Sequence, residues 1–210
     1  GVGKTTLAAS VSKALKKEFY KISVAGLNDA TELTGHKRTY LGSSPGKIIQ
    51  GLKKCASANP VILIDEVDKI ISDFKGDPSA VLLDILDPSG NHAFIDNYIE
   101  EPFDLSQVLF ILTANDGKNI PSALKDRLEI IEISSYTEFE KVELAKKYIL
   151  PKFLRTYNLP KYRMSDEELL YIITHYTKEA GVRELERTLA KIFRHLLINP
   201  PKGVSIKQET

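Results

Sequence analysis

Apolar positions along the chain follow two periods, one giving way to the other. Val61-Ile-Leu-Ile64 is an uninterrupted apolar run that follows Pro60 and ends in Asp65-Glu66. A short run without polar alternation predicts a strand buried on both faces, as in a parallel sheet. Residues 108–113 predict a second such strand, ending at Ala114-Asn115, and 128–133 a third. Residues 19–25, rich in Phe, Tyr, Ile and Val, also read as a strand. Between the strands the period lengthens. Leu7, Val11, Ala14 and Leu15 recur at i, i+4, i+7 and i+8 and predict a helix close to the N-terminus. A further helix is expected at 48–58. Another starts at Pro78, whose fixed φ suits the first helical position, and carries Val81, Leu82, Ile85 and Leu86 on its apolar face before Pro88 stops it. The four glycines and many polar residues of 26–46 predict an exposed functional loop.

Strand signals end after Ser134. Thr137-Glu-Phe-Glu140 and Ser165-Asp-Glu-Glu168 both match the capping box that opens a helix. Val182, Leu185, Leu189, Ile192, Phe193 and Leu196 form one amphipathic stripe. The expected organisation is an α/β domain at 1–134, a small all-α domain at 135–198 and a tail or linker at 199–210, which holds Pro200-Pro201 and no period.

Composition narrows the classes. With 42% hydrophobic and 27% charged residues the chain is ordinary globular protein, neither disordered nor collagenous. Lys+Arg 29 against Asp+Glu 28 gives a net +1, so a general polyanion-binding surface is not indicated, a local basic patch staying open. The single cysteine, Cys55, excludes an intramolecular disulfide. No apolar run approaches the roughly 18 residues that span a bilayer, and no signal or transit segment is recognised.

Candidate chemistry begins at the first residue. Gly1-Val-Gly-Lys-Thr-Thr6 supplies the second half of the phosphate-binding pattern G-x-x-x-x-G-K-S/T. Glycines let backbone N–H groups approach phosphates, Lys4 adds a cation, the Thr5 hydroxyl suits Mg²⁺, and the following helix N-terminus favours anions. Three features follow in order: acids at the end of a buried strand (Asp65, Glu66), a polar residue at the end of another (Asn115), and arginines at 127 and 183. Phosphoryl transfer needs these parts: a phosphate cradle, an acid for the metal, a group that orients water, and cations for the developing charge. Other reactive side chains fit a bland reading. Ser79 sits at a helix start, the four histidines lack metal-ligand spacing, and Cys55 lies in a helix beside Lys53 and Lys54.

Longer strings carry a resemblance. Gly35-His-Lys-Arg-Thr-Tyr-Leu-Gly42 with Pro45-Gly46, Gly76-Asp-Pro-Ser-Ala80 through Leu86-Asp-Pro88, Phe94-Ile-Asp-Asn-Tyr98, and Ala180-Gly-Val-Arg183 with Leu185-Glu-Arg187 resemble motifs of the Lon family of ATP-dependent proteases, within the AAA+ class. The match runs from residue 1 to about residue 197. The resemblance implies a P-loop AAA+ parallel sheet flanked by helices and followed by a small all-α lid. It implies ATP and Mg²⁺ as cofactors. Gly1, Val2, Gly3, Lys4, Thr5 and Thr6 would bind the phosphates, and Tyr136 would lie near the adenine. Thr5 and Asp65 would serve the metal. Glu66 would polarise water, Asn115 would act as sensor 1, Arg127 as a finger in trans and Arg183 as sensor 2. Tyr40-Leu41 would grip substrate in the pore, with Lys37 and Arg38 lining the channel or serving subunit contacts and Phe74, in 72–75, a second pore contact.

The implied function is the ATP-hydrolysing motor of a homo-oligomeric protease, a hexameric ring acting on unfolded or damaged proteins, with the Ser–Lys peptidase site outside this chain. A bacterial cytoplasm is preferred over a mitochondrial matrix. The alternatives are an AAA+ nucleic-acid motor or loader, or an inactive fragment, since half the P-loop is missing. The P-loop strand would precede Gly1, so poor folding or weak nucleotide binding is expected of this exact chain.

Overall fold

The computed structural model describes residues 2–27, 29–70, 77–159 and 162–199. The expected readings of Gly1, of the 72–75 loop with Phe74, and of 200–210 lie outside these residues. The chain divides into two compact units, Lys4–Ile131, and Gly1–Gly3 with Glu132–Thr210.

In the first unit α1 (Lys4–Ala14) precedes β1 (Phe19–Ser23), then come α2 (Thr31–Thr34), α3 (Lys47–Cys55) and β2 (Val61–Asp65). α4 (Pro78–Leu86), β3 (Phe94–Ile95), β4 (Pro102–Phe103), β5 (Leu109–Leu112) and α5 (Ser122–Lys125) follow. The sheet is parallel with order β1-β2-β5, and a separate antiparallel pair joins β3 to β4. β1 runs from Phe19 opposite Val61 to Ser23 opposite Asp65. β5 runs from Leu109 opposite Val61 to Leu112 opposite Ile64. The central strand therefore has both faces covered, and Val61, Ile62, Leu63 and Ile64 are fully buried. That burial is why the run needs no polar alternation. α1 packs on β2 and α3 on β1. The α3 contact requires glycine, since a Cβ on Gly51 would lie 2.4 Å from the Tyr20 ring. Asp77 caps α4, its side chain accepting from the Ser79 N–H, with Pro78 as the first residue of the helix.

Three expectations are corrected. β5 is not buried on both faces, since it ends the strand order: Leu109 is 37% exposed and Phe110, Ile111 and Leu112 are half-buried. Residues 128–133 form no strand, and Ile131 is 78% exposed. Their β-branched composition fits a strand, but they pair with none of the strands among the described residues, and an extended segment becomes a strand only when its N–H and C=O groups meet a ladder. The 26–46 segment is not wholly an exposed loop either. It contains the one-turn helix α2, whose Leu33 is fully buried and anchors the segment in the core.

The second unit is helical: α6 (Glu138–Leu144), a π turn at Ala145–Ile149, α7 (Leu150–Thr156), α8 (Asp166–Tyr176) and α9 (Arg183–Ile198). Both capping boxes close. Thr137 and Glu140 reciprocate at α6, and Ser165 and Glu168 at α8. The π turn directly precedes α7, whose second residue, Pro151, has no N–H to donate and whose ring would crowd the preceding turn of a regular helix. Leu185, Leu189 and Phe193 of the stripe are fully buried, and Phe193 packs against Phe153 and Tyr162 with ring centroids 5.6 Å away.

Candidate functional site

The site of the first unit forms at the C-terminal ends of β2 and β5 beside the start of α1. The first-turn N–H groups of α1 lack intrahelical partners, and its first turn contains no acidic residue, so the helix end is open to an anion. Thr5 and Thr6 sit in that turn. The Lys4 Nζ donates to the Asn115 Oδ1 at 2.7 Å and to the Ala114 carbonyl. Residues expected to bind phosphate and to sense it are thus brought together as α1 packs on β2 beside the end of β5.

The acids are organised by a residue the motifs did not single out. Thr113, 6% exposed, follows β5 directly. Its hydroxyl donates to the Asp65 Oδ1 and accepts from the Glu66 N–H at 3.2 Å. Its carbonyl accepts from the Val67 N–H at 2.9 Å. One side chain just after the neighbouring strand therefore ties the Asp65 carboxylate to the Glu66 backbone. Its sequence signal is a lone hydroxyl closing an apolar strand just before Ala114-Asn115. The Asp65 Oδ2 also meets the Lys21 Nζ at 2.5 Å, from a polar position on β1. Glu66 adopts a left-handed backbone, φ +66°, which costs a non-glycine residue about 1–2 kcal/mol. Its carboxylate pairs with Lys69 at 3.0 Å.

Arg127 is held on a different group. Its Nη1 donates to the Ala123 carbonyl at 3.3 Å, and its Nη2 stands 4.0 Å from the Asp87 Oδ2, both side chains well exposed. The Ser89 N–H and hydroxyl, and then Arg127, hold the Asp87 carboxyl below the usual carboxylate range. A guanidinium on so long a contact is easily released to another anion.

In the second unit Tyr136 is a hub. Its hydroxyl donates to the Val2 carbonyl at 3.0 Å, and its N–H donates to the Ala180 carbonyl at 3.0 Å. Gly3 has φ +84°, a conformation that suits glycine, and a Cβ there would lie 3.5 Å from the Tyr136 hydroxyl. Val2, Gly3, Tyr136 and the string leading to Arg183 therefore meet. Arg183 opens α9 and is exposed. The Glu179 Oε1 accepts from the Glu184 and Leu185 N–H groups at 2.6 and 2.9 Å, satisfying the first turn of that helix.

Tyr40 and Leu41 lie outside the strand-end cluster, 65% and 107% exposed at the tip of their loop. Among the described residues no group of three or more His, Cys, Asp or Glu side chains is placed to hold a metal ion. The Thr5 hydroxyl and Asp65 carboxylate are hard oxygen donors, which fit Mg²⁺ supplemented by phosphate and water.

Residues 1–136 match the family model described as "ATPase family associated with various cellular activities (AAA)". Residues 158–202 match "Lon protease AAA+ ATPase lid domain". The chain is 55% identical over 92% of its length to a Lon protease of Bacillus thuringiensis and 54% identical over 92% to Lon protease 1 of Bacillus subtilis. It is 53% identical over 96% to a Lon protease of Malacoplasma penetrans. It spans about a quarter of the length of these relatives, 25%, 25% and 26% respectively.

Proposed function

The chain belongs to the AAA family of ATPases, and from that premise we propose that it is the motor of a Lon-like ATP-dependent protease. It would unfold protein substrates and translocate them toward a proteolytic chamber built outside this chain. The observation that supports this most directly is the joining of Lys4 to Asn115 beside two acids that share the Thr113 hydroxyl. A helix N-terminus, a cation, a metal-fitting acid and a water-orienting acid then occupy one end of a parallel sheet.

In this reading Val2, Gly3, Lys4, Thr5 and Thr6 hold the phosphates, with Gly1 preceding them, and Tyr136 borders the base. Thr5 and Asp65 serve Mg²⁺. ATP and Mg²⁺ supply the phosphoanhydride and the neutralising charge. Glu66 leaves Lys69 and accepts the proton of the attacking water at a carboxylate oxygen, while Asn115 fixes that water with its side-chain amide. Arg127 leaves Asp87 to neutralise charge at a neighbouring subunit's site. Arg183 reports nucleotide state to the helical unit. The assembly is a homo-oligomeric ring, hexameric in the proposal, and its compartment a bacterial cytoplasm. Among the described residues no helix is long and apolar enough to cross a membrane. Ser79 is no candidate for the peptidase nucleophile, being 4% exposed at the start of α4.

The test is Glu66→Gln in the full-length protein. Nucleotide binding should persist while hydrolysis falls at least about 100-fold, the scale of losing a general base. Hydrolysis at the unmodified rate would remove Glu66 from its role.

A further inference from the structure

The strap of residues 94–99 holds the loop that carries Tyr40 and Leu41. Asp96 is fully buried, and its carboxylate is met by three backbone N–H groups. Its Oδ2 accepts from Gly46 at 2.7 Å, and its Oδ1 from Tyr98 at 2.9 Å and Ile99 at 3.2 Å. Asn97 holds the other stem. Its N–H donates to the Thr34 carbonyl at 2.7 Å, and its side-chain amide donates to the Thr34 hydroxyl and the Gly35 carbonyl, both at 3.1 Å. The stems are pressed together so closely that a Cβ on Gly46 would lie 2.0 Å from the Leu33 carbonyl oxygen, and one on Gly35 2.6 Å from the Asp96 Oδ1. Arg38 then clips the ascending arm. Its guanidinium donates to the Tyr98 carbonyl and, at 3.3 Å, to the Ile99 carbonyl, and its carbon stands 5.2 Å from the Tyr98 ring centroid. Arg38, still exposed, is thus bound to the strap within its own chain.

We propose that Asp96 is the positioning residue of the Tyr40–Leu41 loop. Its buried carboxylate ties the Gly46 stem to the strap, whose Asn97 holds the other stem, so that the exposed tip bears load when substrate is pulled. This deepens the proposed function and rests on its reading of Tyr40 as the substrate grip. The physical logic is one of stiffness. A charged acceptor shared among backbone donors is stronger than a neutral one, and a stem fixed by backbone contacts passes core movement to the tip instead of absorbing it. ATP hydrolysis uses other residues and should not need the clamp.

The experiment uses the full-length protein, ATP, and a fluorescently labelled, carboxymethylated polypeptide that cannot refold. The variant is Asp96→Asn. Asparagine keeps one oxygen for Tyr98 and Ile99 but turns an NH₂ toward the Gly46 N–H. Basal ATPase should stay within about twofold, peptide bonds cleaved per ATP should fall at least about fivefold, and amide exchange should quicken in 35–46 while the sheet stays protected. Arg38→Ala, a surface change that leaves the core intact, should move cleavage per ATP in the same direction. Unchanged cleavage per ATP or unchanged exchange in 35–46 for Asp96→Asn overturns the clamp, and if that variant does not fold, unchanged coupling in Arg38→Ala overturns it. Tyr40→Ala separates the two readings. Full degradation by Tyr40→Ala defeats the grip itself, whereas impaired Tyr40→Ala beside unaffected Asp96→Asn defeats only the clamp.

Discussion

Replacing Thr113 by valine removes one oxygen and preserves volume. The structure assigns two losses to that atom. The Asp65 carboxylate forfeits a charge-assisted bond, of about 1.5–3 kcal/mol, and the Glu66 N–H loses its acceptor, at about 1–3 kcal/mol if left dry. The two share one hydroxyl and will not add fully. Asp65 keeps Lys21, and its side chain retains 15% exposure, so water recovers part of the cost. The expected net is about 2–4 kcal/mol. Thr113→Ser keeps the hydroxyl and loses one methyl group, about 0.8 kcal/mol. Equilibrium urea denaturation should therefore place valine at least about 1.2 kcal/mol below serine. ATP turnover in the full-length protein should fall roughly tenfold or more for valine and little for serine, because both acids lose their common orienting atom. Equal stability and equal turnover in the two variants would refute the argument that this hydroxyl aligns the acids.

Other outcomes follow from the same structure. Gly46→Ala places a Cβ against backbone atoms that cannot rotate away, and should cost about 2–3 kcal/mol in denaturation, the upper part of the overpacking range. Thr137→Ala opens the capping box of α6 and should cost about 1 kcal/mol, read as a lower thermal midpoint of the helical unit. Stability should rise with pH through the acid range. The native carboxyls of Asp87, Asp104 and Glu140 lie below their ordinary values because Ser89, Ser106 and Thr137 donate to them. The unfolded chain then binds more protons, so this contribution is complete above about pH 5 and is lost as pH falls through the lowered native values. Glu140→Gln should flatten the acid limb of a pH–denaturation curve, and an unchanged limb would remove Glu140 from the account.

What the sequence disclosed depended on whether the cause was local. The β2 run predicted its own burial because four apolar residues in succession leave no solvent face. The capping boxes were legible because both partners lie within one turn. Residues 128–133 misled because a strand is a property of a pair, and composition says nothing about the partner. The β3–β4 pair, two residues per strand, is too short to show a period. Thr113 and Lys21 stand 48 and 44 residues from Asp65, and only the parallel register brings them to it. Asp96 lay inside a recognised string, yet its partner Gly46, 50 residues away, belongs to tertiary structure. The N-terminal half-motif and the two acids could be read by residue type, but not the contacts that hold them.

Each charged group in the strand-end site, and Arg127 beyond it, has a counterpart within its own unit: Lys4 with Asn115, Asp65 with Lys21, Glu66 with Lys69, Arg127 with Asp87. Binding at such a site is an exchange reaction. An arriving phosphate or cation must displace a contact of similar kind, so the net gain is the small difference between one attraction made and another given up. Such an exchange suits the motor proposed above, which must bind and release nucleotide in every cycle.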